Sequence, residues 1–269
     1  MAGVTVPRIS FWRTFWSNAV FAPRTSLGFM RVDFVLGTIF VIPLTQMVFF
    51  AFVVKLAMTG SVAYTALGNA VATVTYSSVF SVCQTTDSEK QQGTMEHLLV
   101  SPANRFALYI GRGLLPILIS LATVSVGLVY AALLFGVPIA ASAIPSLAVS
   151  VVLTAFAMVG FGLLLGGVAL YLRTSIILGN IFLFVGLLLS GVNFPTSALP
   201  APLRYAGDAL PLTWGLAAIR ASVANGPISS VGLLWVAVGL SAAISFGAAI
   251  GLWKVFERRA LTTGSIARF

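Results

Sequence analysis

Charge is scarce in this chain: 8% of its 269 residues are Asp, Glu, Lys or Arg, and only six are acidic. That leaves too little polar surface to cover a water-soluble globule, and the mean hydropathy of +1.04 points the same way. Cysteine occurs once, at Cys83, and histidine once, at His97. An intrachain disulfide is thereby excluded, and no cluster remains from which a metal site could be built. Patterns of hydrolytic chemistry are missing too, with no Gly-x-Ser-x-Gly, no His-Glu-x-x-His and no paired carboxylates inside the apolar stretches. The lysines are followed by Leu56, Gln91 and Val255, so none completes the Gly-Lys-Ser/Thr of a Walker A loop. No catalytic, cofactor-binding or metal residue is assigned, and any nucleotide-driven engine belongs to a separate polypeptide. The formal charge of +9 is spread along the chain rather than gathered on one folded face, which argues against a nucleic-acid partner.

What the chain has in abundance is apolar sequence. Stretches near Phe34 to Val54, Val62 to Val82, Leu114 to Phe135, Leu147 to Leu170, Ile176 to Val192 and Val231 to Val255 are each long enough to read as a helix crossing roughly 30 Å of hydrocarbon. An all-α polytopic membrane protein with six spans is expected, forming a single transmembrane domain over 1–269 with no room for an independent soluble domain. If the N-terminus is inside, twelve of the fifteen Lys and Arg residues fall in inner segments and only Lys55, Arg204 and Arg220 in outer ones. Retention of basic residues on the cytoplasmic side then places both termini in the cytoplasm and anionic lipid headgroups beside the inner loops.

The first apolar region is interrupted by Arg8, Arg13, Asn18 and Arg24, unlike the uniform core of a secretory signal, and is expected to stay attached. Ile9, Phe11, Trp12, Phe15, Trp16, Ala19 and Val20 fill one half of a helical wheel. Ser10, Arg13, Thr14, Ser17 and Asn18 fill the other, the pattern of an interfacial helix within 8–30 that Pro23 ends. The spans carry almost no ionisable residue at depth, which disfavours a proton- or sodium-coupled carrier.

One strongly polar insert separates the second and third spans. It runs from Asp87 to Pro102 and holds three of the six acidic residues and the one histidine. Thr86 and Glu89 have capping-box spacing, Thr94 can cap a second short helix after a break at Gly93, and Pro102 lies beyond its end. Met95, Leu98 and Leu99 make a small apolar knob beside Glu96 and His97, suited to docking another protein.

The run Glu89-Lys-Gln-Gln-Gly-Thr-Met-Glu-His-Leu-Leu-Val-Ser-Pro102, followed by Gly111-Arg112, resembles the signature between the second and third spans of ABC-2 type exporter permeases. Leu189-Ser-Gly-Val-Asn-Phe-Pro195, Leu199-Pro200 and Leu210-Pro-Leu-Thr-Trp214 with Arg220 resemble that family's stretch between spans five and six. The resemblance implies a half-transporter that pairs with a second permease copy, identical or different, and with two ATPase subunits that bind ATP and magnesium. It implies a coupling segment over 87–104, in which Glu89, Gly93, Thr94, Glu96, Leu98 and Leu99 transmit ATPase closure, with His97 at a variable position of the motif.

The resemblance further implies short re-entrant helices over 193–228 that close the outer side, with Phe194, Pro195, Leu210 and Pro211 as gate residues. A translocation path and dimer contact along the first and fifth spans would present Phe40, Gln46, Phe49, Phe50, Asn180, Phe182 and Phe184. Their aromatic, nearly uncharged character favours a drug-like or lipid-like amphipathic cargo exported across a bacterial cell membrane, ahead of a polysaccharide or lipid-linked glycan. An ion-coupled carrier or a non-transporting scaffold stands further behind. Small residues recurring at Gly239, Ala243, Gly247 and Gly251, and at Gly162 and Gly166, predict close helix packing, more within the chain than across a dimer seam.

Overall fold

The computed structural model describes residues 32–57, 60–83, 111, 113–169 and 175–263, together with Trp12 and Trp16. Trp12 and Trp16 are helical and exposed, and the rest of the expected interfacial helix lies outside the described residues. So does the insert over 87–104 with Glu89, Gly93, Thr94, Glu96, His97, Leu98 and Leu99. Among the described residues every regular element is helical. In chain order these are α1 (Val32–Leu36), a π turn (Gly37–Val41), α2 (Ile42–Ala57), α3 (Val62–Thr75), a second π turn (Tyr76–Phe80), α4 (Leu114–Phe135), a 3-10 turn (Ala141–Ala143), α5 (Ile144–Ala169), α6 (Ser175–Leu189), a second 3-10 turn (Thr196–Ala198), α7 (Ala201–Asp208), α8 (Pro211–Val223) and α9 (Ile228–Thr263).

Local chemistry sets the boundaries. Pro43 has no N–H and its ring crowds the carbonyl four residues back, and the helix widens into its first π turn immediately before it. Ser61 caps α3, its backbone extended and its Oγ accepting from the Tyr64 N–H at 3.4 Å. Gly136 ends α4 in the left-handed conformation with φ at 65°. Gly191 does the same past α6 with φ at 76°. Pro211 opens α8 at a position where its missing N–H costs nothing.

Among the described residues, five helices are long and apolar enough to cross a membrane: Gly37–Ala57, Val62–Cys83, Leu114–Phe135, Ala141–Val168 and Ile228–Val255. The expected fifth span, Ile176 to Val192, is shorter than the sequence suggested. Its helix α6 is described from Ser175 and ends at Leu189, three residues before the expected end. It stops because Gly191 turns the chain. The connection after it is built rather than loose, containing α7 and α8.

The helix through α3 and the second π turn is the hub. Its membrane window is 88% buried against 17% for that of α2, although it is the least hydrophobic of the five. In lipid that inversion makes sense, since tails solvate large apolar side chains as well as a protein interior does. Small and weakly polar residues are drawn inward, where backbones approach closely and hydroxyls find partners. Thr65, Ala66, Gly68, Asn69, Ala70, Thr73 and Ser78 are accordingly enclosed, while Phe49, Phe52 and Leu56 of α2 and Leu233, Val236 and Leu240 of α9 face outward.

Helix α8 packs against both α5 and α9. Leu212, Leu216 and Ile219 join the main core with Leu67, Val71, Val124 and Met158. A bond from Trp235 Nε1 to Ser150 Oγ at 2.8 Å, and one between Ser150 Oγ and Ser222 Oγ at 3.0 Å, tie α9, α5 and α8 together. The glycine ridges divide. A methyl added at Gly162 would lie 3.0 Å from the Ser78 carbonyl oxygen, whereas one at Gly239, Gly247 or Gly251 would meet nothing within 4 Å. The ridge on α9 is therefore not packed within the chain as its spacing suggested, because α9 turns a different face to α5 and α8.

Candidate outer gate and its polar brace

The break after α6 leaves backbone carbonyls without intrahelical partners, and such groups must find donors where water is scarce. Arg220, in the last turn of α8, supplies them. Its Nη1 donates to Gly191 O at 2.9 Å and to the Tyr64 hydroxyl at 2.7 Å. Its Nη2 donates to Val192 O at 3.1 Å and Tyr64 O at 3.4 Å. The guanidinium carbon lies 3.5 Å from the centre of the Tyr64 ring, and the Tyr64 hydroxyl donates in turn to Gly191 O at 3.1 Å. A planar fork that stacks and donates along two edges suits this task, which a lysine could not perform.

One turn along α3, Asn69 is completely enclosed. Its Nδ2 donates to Asn193 Oδ1 at 2.8 Å and to Thr65 O at 2.9 Å, while its Oδ1 accepts from Gln46 Nε2 at 3.1 Å. Tyr64 and Gly68, four residues apart, share a face of α3, and Asn69 follows on the adjoining side. Between them Gly68 admits the chain leaving α6, for a side-chain methyl there would collide with Val192 O and reach 2.9 Å from Arg220 Nη2. Four parts of the chain thus converge, with Gln46 from α2, Tyr64 and Asn69 from α3, Gly191 to Asn193 after α6, and Arg220 from α8.

The expected gate residues bracket this brace. Phe194 and Pro195 follow it directly, Phe194 half-buried and Pro195 exposed, with Pro195 O accepting from Ala198 N at 3.0 Å. Leu210 is half-buried and Pro211 buried where α8 begins. The bend between α7 and α8 is fixed by Thr213 Oγ1 donating to Gly207 O at 2.6 Å and Trp214 Nε1 donating to Asp208 O at 2.7 Å. Of the candidate path residues, Phe40, Phe49, Asn180 and Phe184 are exposed, with Phe49 edge-on to half-buried Phe50 at 5.2 Å. Gln46 turns inward to Asn69, and Phe182 packs on Phe161 at 4.5 Å.

Sequence reasoning placed Arg220 in an outer segment and gave it no bonding role. It is a half-buried residue of α8 that ties that helix to α3 and to the chain leaving α6. Tyr64, Gly68, Asn69 and Asn193 were not singled out. The available signal was a tyrosine, a glycine and an asparagine at helical spacing in the least hydrophobic span.

The fold and the brace define a polytopic helical membrane protein with a built, proline-punctuated segment before its last span. Residues 18–223 match the ABC-2 type transporter family, and the chain belongs to that family. It is 27% identical over 126 residues to proteins described as the probable multidrug ABC transporter permease YbhR, from Escherichia coli strain K12 and from Escherichia coli O157:H7. Each match covers 47% of this chain and 32% of the relative's length.

Proposed function

We propose that this chain is the transmembrane permease subunit of an ATP-driven exporter, paired with a second permease copy and with two separate ABC ATPase subunits. The observation that carries the reading is the family match over residues 18–223, which takes in the polar insert and the segment from Asn193 to Val223. In this reading α6 and the irregular residues after it serve as the fifth of six spans, and α7 and α8 enter the outer leaflet and return. Both termini and the insert face the cytoplasm of a bacterial cell.

ATP and magnesium bind the ATPase partner. Closure of that partner pushes on the insert through Glu89, Gly93, Thr94, Glu96, Leu98 and Leu99, with His97 beside them, and the bundle alternates between inner and outer access. Phe194, Pro195, Leu210 and Pro211 close the outer side, and the brace of Arg220, Tyr64 and Asn69 holds them shut. The cargo is a hydrophobic or amphipathic small molecule. The description of YbhR as a multidrug permease supports that class, as do the aromatic faces at Phe40, Phe49 and Phe184.

The test is reconstitution of the chain with its ATPase in vesicles loaded with an amphipathic dye. ATP-dependent dye movement is expected, and it should vanish on Glu96→Ala or on joint Leu98→Ala and Leu99→Ala substitution while the permease stays folded. Dye movement without any ATPase, or undiminished transport by well-expressed insert variants, would refute the reading.

A further inference from the structure

The two π turns have different origins. The first precedes Pro43, which cannot donate to the ladder, so a regular α-helix is closed to it. The second, Tyr76–Phe80, has no proline within it or in the turn that follows it through Cys83. Nothing covalent holds its wider winding. It is held by packing and by hydroxyls, a condition under which two windings of one segment can lie close in energy.

Its surroundings are those of a joint. The turn touches α4, α5 and α6 as well as α3. Ser120 of α4 is fully buried and its Oγ lies 2.8 Å from Ser77 Oγ and 2.7 Å from Ser78 Oγ, so the two adjacent serines of the turn share one hydroxyl on the neighbouring helix. Ser77 Oγ also reaches back to Thr73 O at 3.0 Å, competing with the backbone ladder where it changes pitch. Gly162 of α5 removes the side chain that would press on Ser78 O. At the boundary, the enclosed Thr75 Oγ1 has no hydrogen-bond partner among the described residues, a bond left unmade in this winding.

Position completes the case. The helix through α3 carries the brace near its start, at Tyr64 and Asn69, and the π turn near its end, just ahead of the insert. We infer that Tyr76–Phe80 is the hinge of the transport cycle, where the insert-proximal end of this helix bends against α4 while the brace holds its other end. The inference rests on the proposed coupling through the insert. Ser77, Ser78 and Ser120 act as positioning residues that hold one of the two windings.

A π turn accommodates one residue more than an α turn. Deleting Tyr76 lets the helix run as α with its faces in register on both sides, and Tyr76 is less buried than Ser77, Ser78 or Val79. The experiment places spin labels at Leu118→Cys on α4 and Ile177→Cys on α6, both exposed and on helices that touch the turn, in a Cys83→Ser background. Distances are read in the assembled complex with and without ATP, beside ATP hydrolysis and dye transport.

The label distance in the parent complex is expected to change with nucleotide. In the Tyr76 deletion ATP hydrolysis persists, the distance stays fixed and transport falls at least tenfold. Ser120→Ala, which leaves the chain length intact, is expected to shift or broaden the distance distribution without nucleotide. A Tyr76 deletion that transports and moves like the parent overturns the hinge. If that deletion does not accumulate, an unchanged distribution in Ser120→Ala overturns it instead. A parent complex that moves no dye with ATP sinks the exporter reading, a result separable from both.

Discussion

The Arg220 guanidinium stacks 3.5 Å from the centre of the Tyr64 ring while its Nη1 donates to that residue's hydroxyl at 2.7 Å. Residues 156 positions apart are thereby joined at the point where α6 breaks. The arginine serves as a substitute helix partner for stranded carbonyls, and its positive charge is tolerated because every acceptor it reaches is a backbone or phenolic oxygen.

Arg220→Ala should be the most damaging single change in the brace. It strands Val192 O and leaves Gly191 O with the Tyr64 hydroxyl as its side-chain donor, with an expected loss of about 2–4 kcal/mol. Arg220→Lys should recover only part of this, for lack of the fork. Tyr64→Phe keeps the ring under the cation and should cost about 1 kcal/mol. Thermal unfolding of the detergent-solubilised protein, followed by size-exclusion fluorescence, should rank the variants in that order.

Gly68→Ala and Gly247→Ala form a matched pair. At Gly68 the new methyl meets the Val192 carbonyl, and a loss of about 1–3 kcal/mol is expected from forced displacement of the chain leaving α6. At Gly247 the methyl meets open space, and stability should change by less than about 0.5 kcal/mol. Equal melting temperatures for the two would contradict the close approach at Gly68.

Gln46 and Asn69 should behave as a coupled pair. Asn69→Ala leaves both Gln46 and Asn193 without their amide partner. A double-mutant cycle with Gln46→Ala is expected to return a coupling of about 0.5–1.5 kcal/mol, the range found for hydrogen bonds between helices in lipid. Additive effects would mean that the bond contributes nothing.

Trp235→Phe removes one donor and little volume. It breaks the link to Ser150 Oγ that connects α9 with α5 and, through Ser222, with α8. A loss of about 1 kcal/mol is expected. Proteolytic nicking at Asn225 to Pro227, between α8 and α9, should rise with it if this tie secures α9.

Much of the architecture was legible from residue order. The long apolar runs from Val62 to Val82, Leu114 to Phe135 and Val231 to Val255 marked helices that the chain forms there. The fifth apolar run misled by three residues at its end, because Val192 is as apolar as any span residue. What stops the helix is Gly191 in the left-handed region, with Arg220 ready to receive the freed carbonyls. The brace was harder to see. Its members lie in four separated segments, and an arginine beside apolar sequence reads from charge alone as a loop residue.

Composition by itself determined that this chain belongs in a bilayer, because lipid demands apolar surface and backbone bonds closed within helices, and both demands are written residue by residue. Tertiary structure alone decided which span lies at the centre. Hydrophobicity pointed away from α3, yet small side chains such as Gly68 and Ala70 let neighbours close in, and Asn69 and Ser78 found partners only once those neighbours were there.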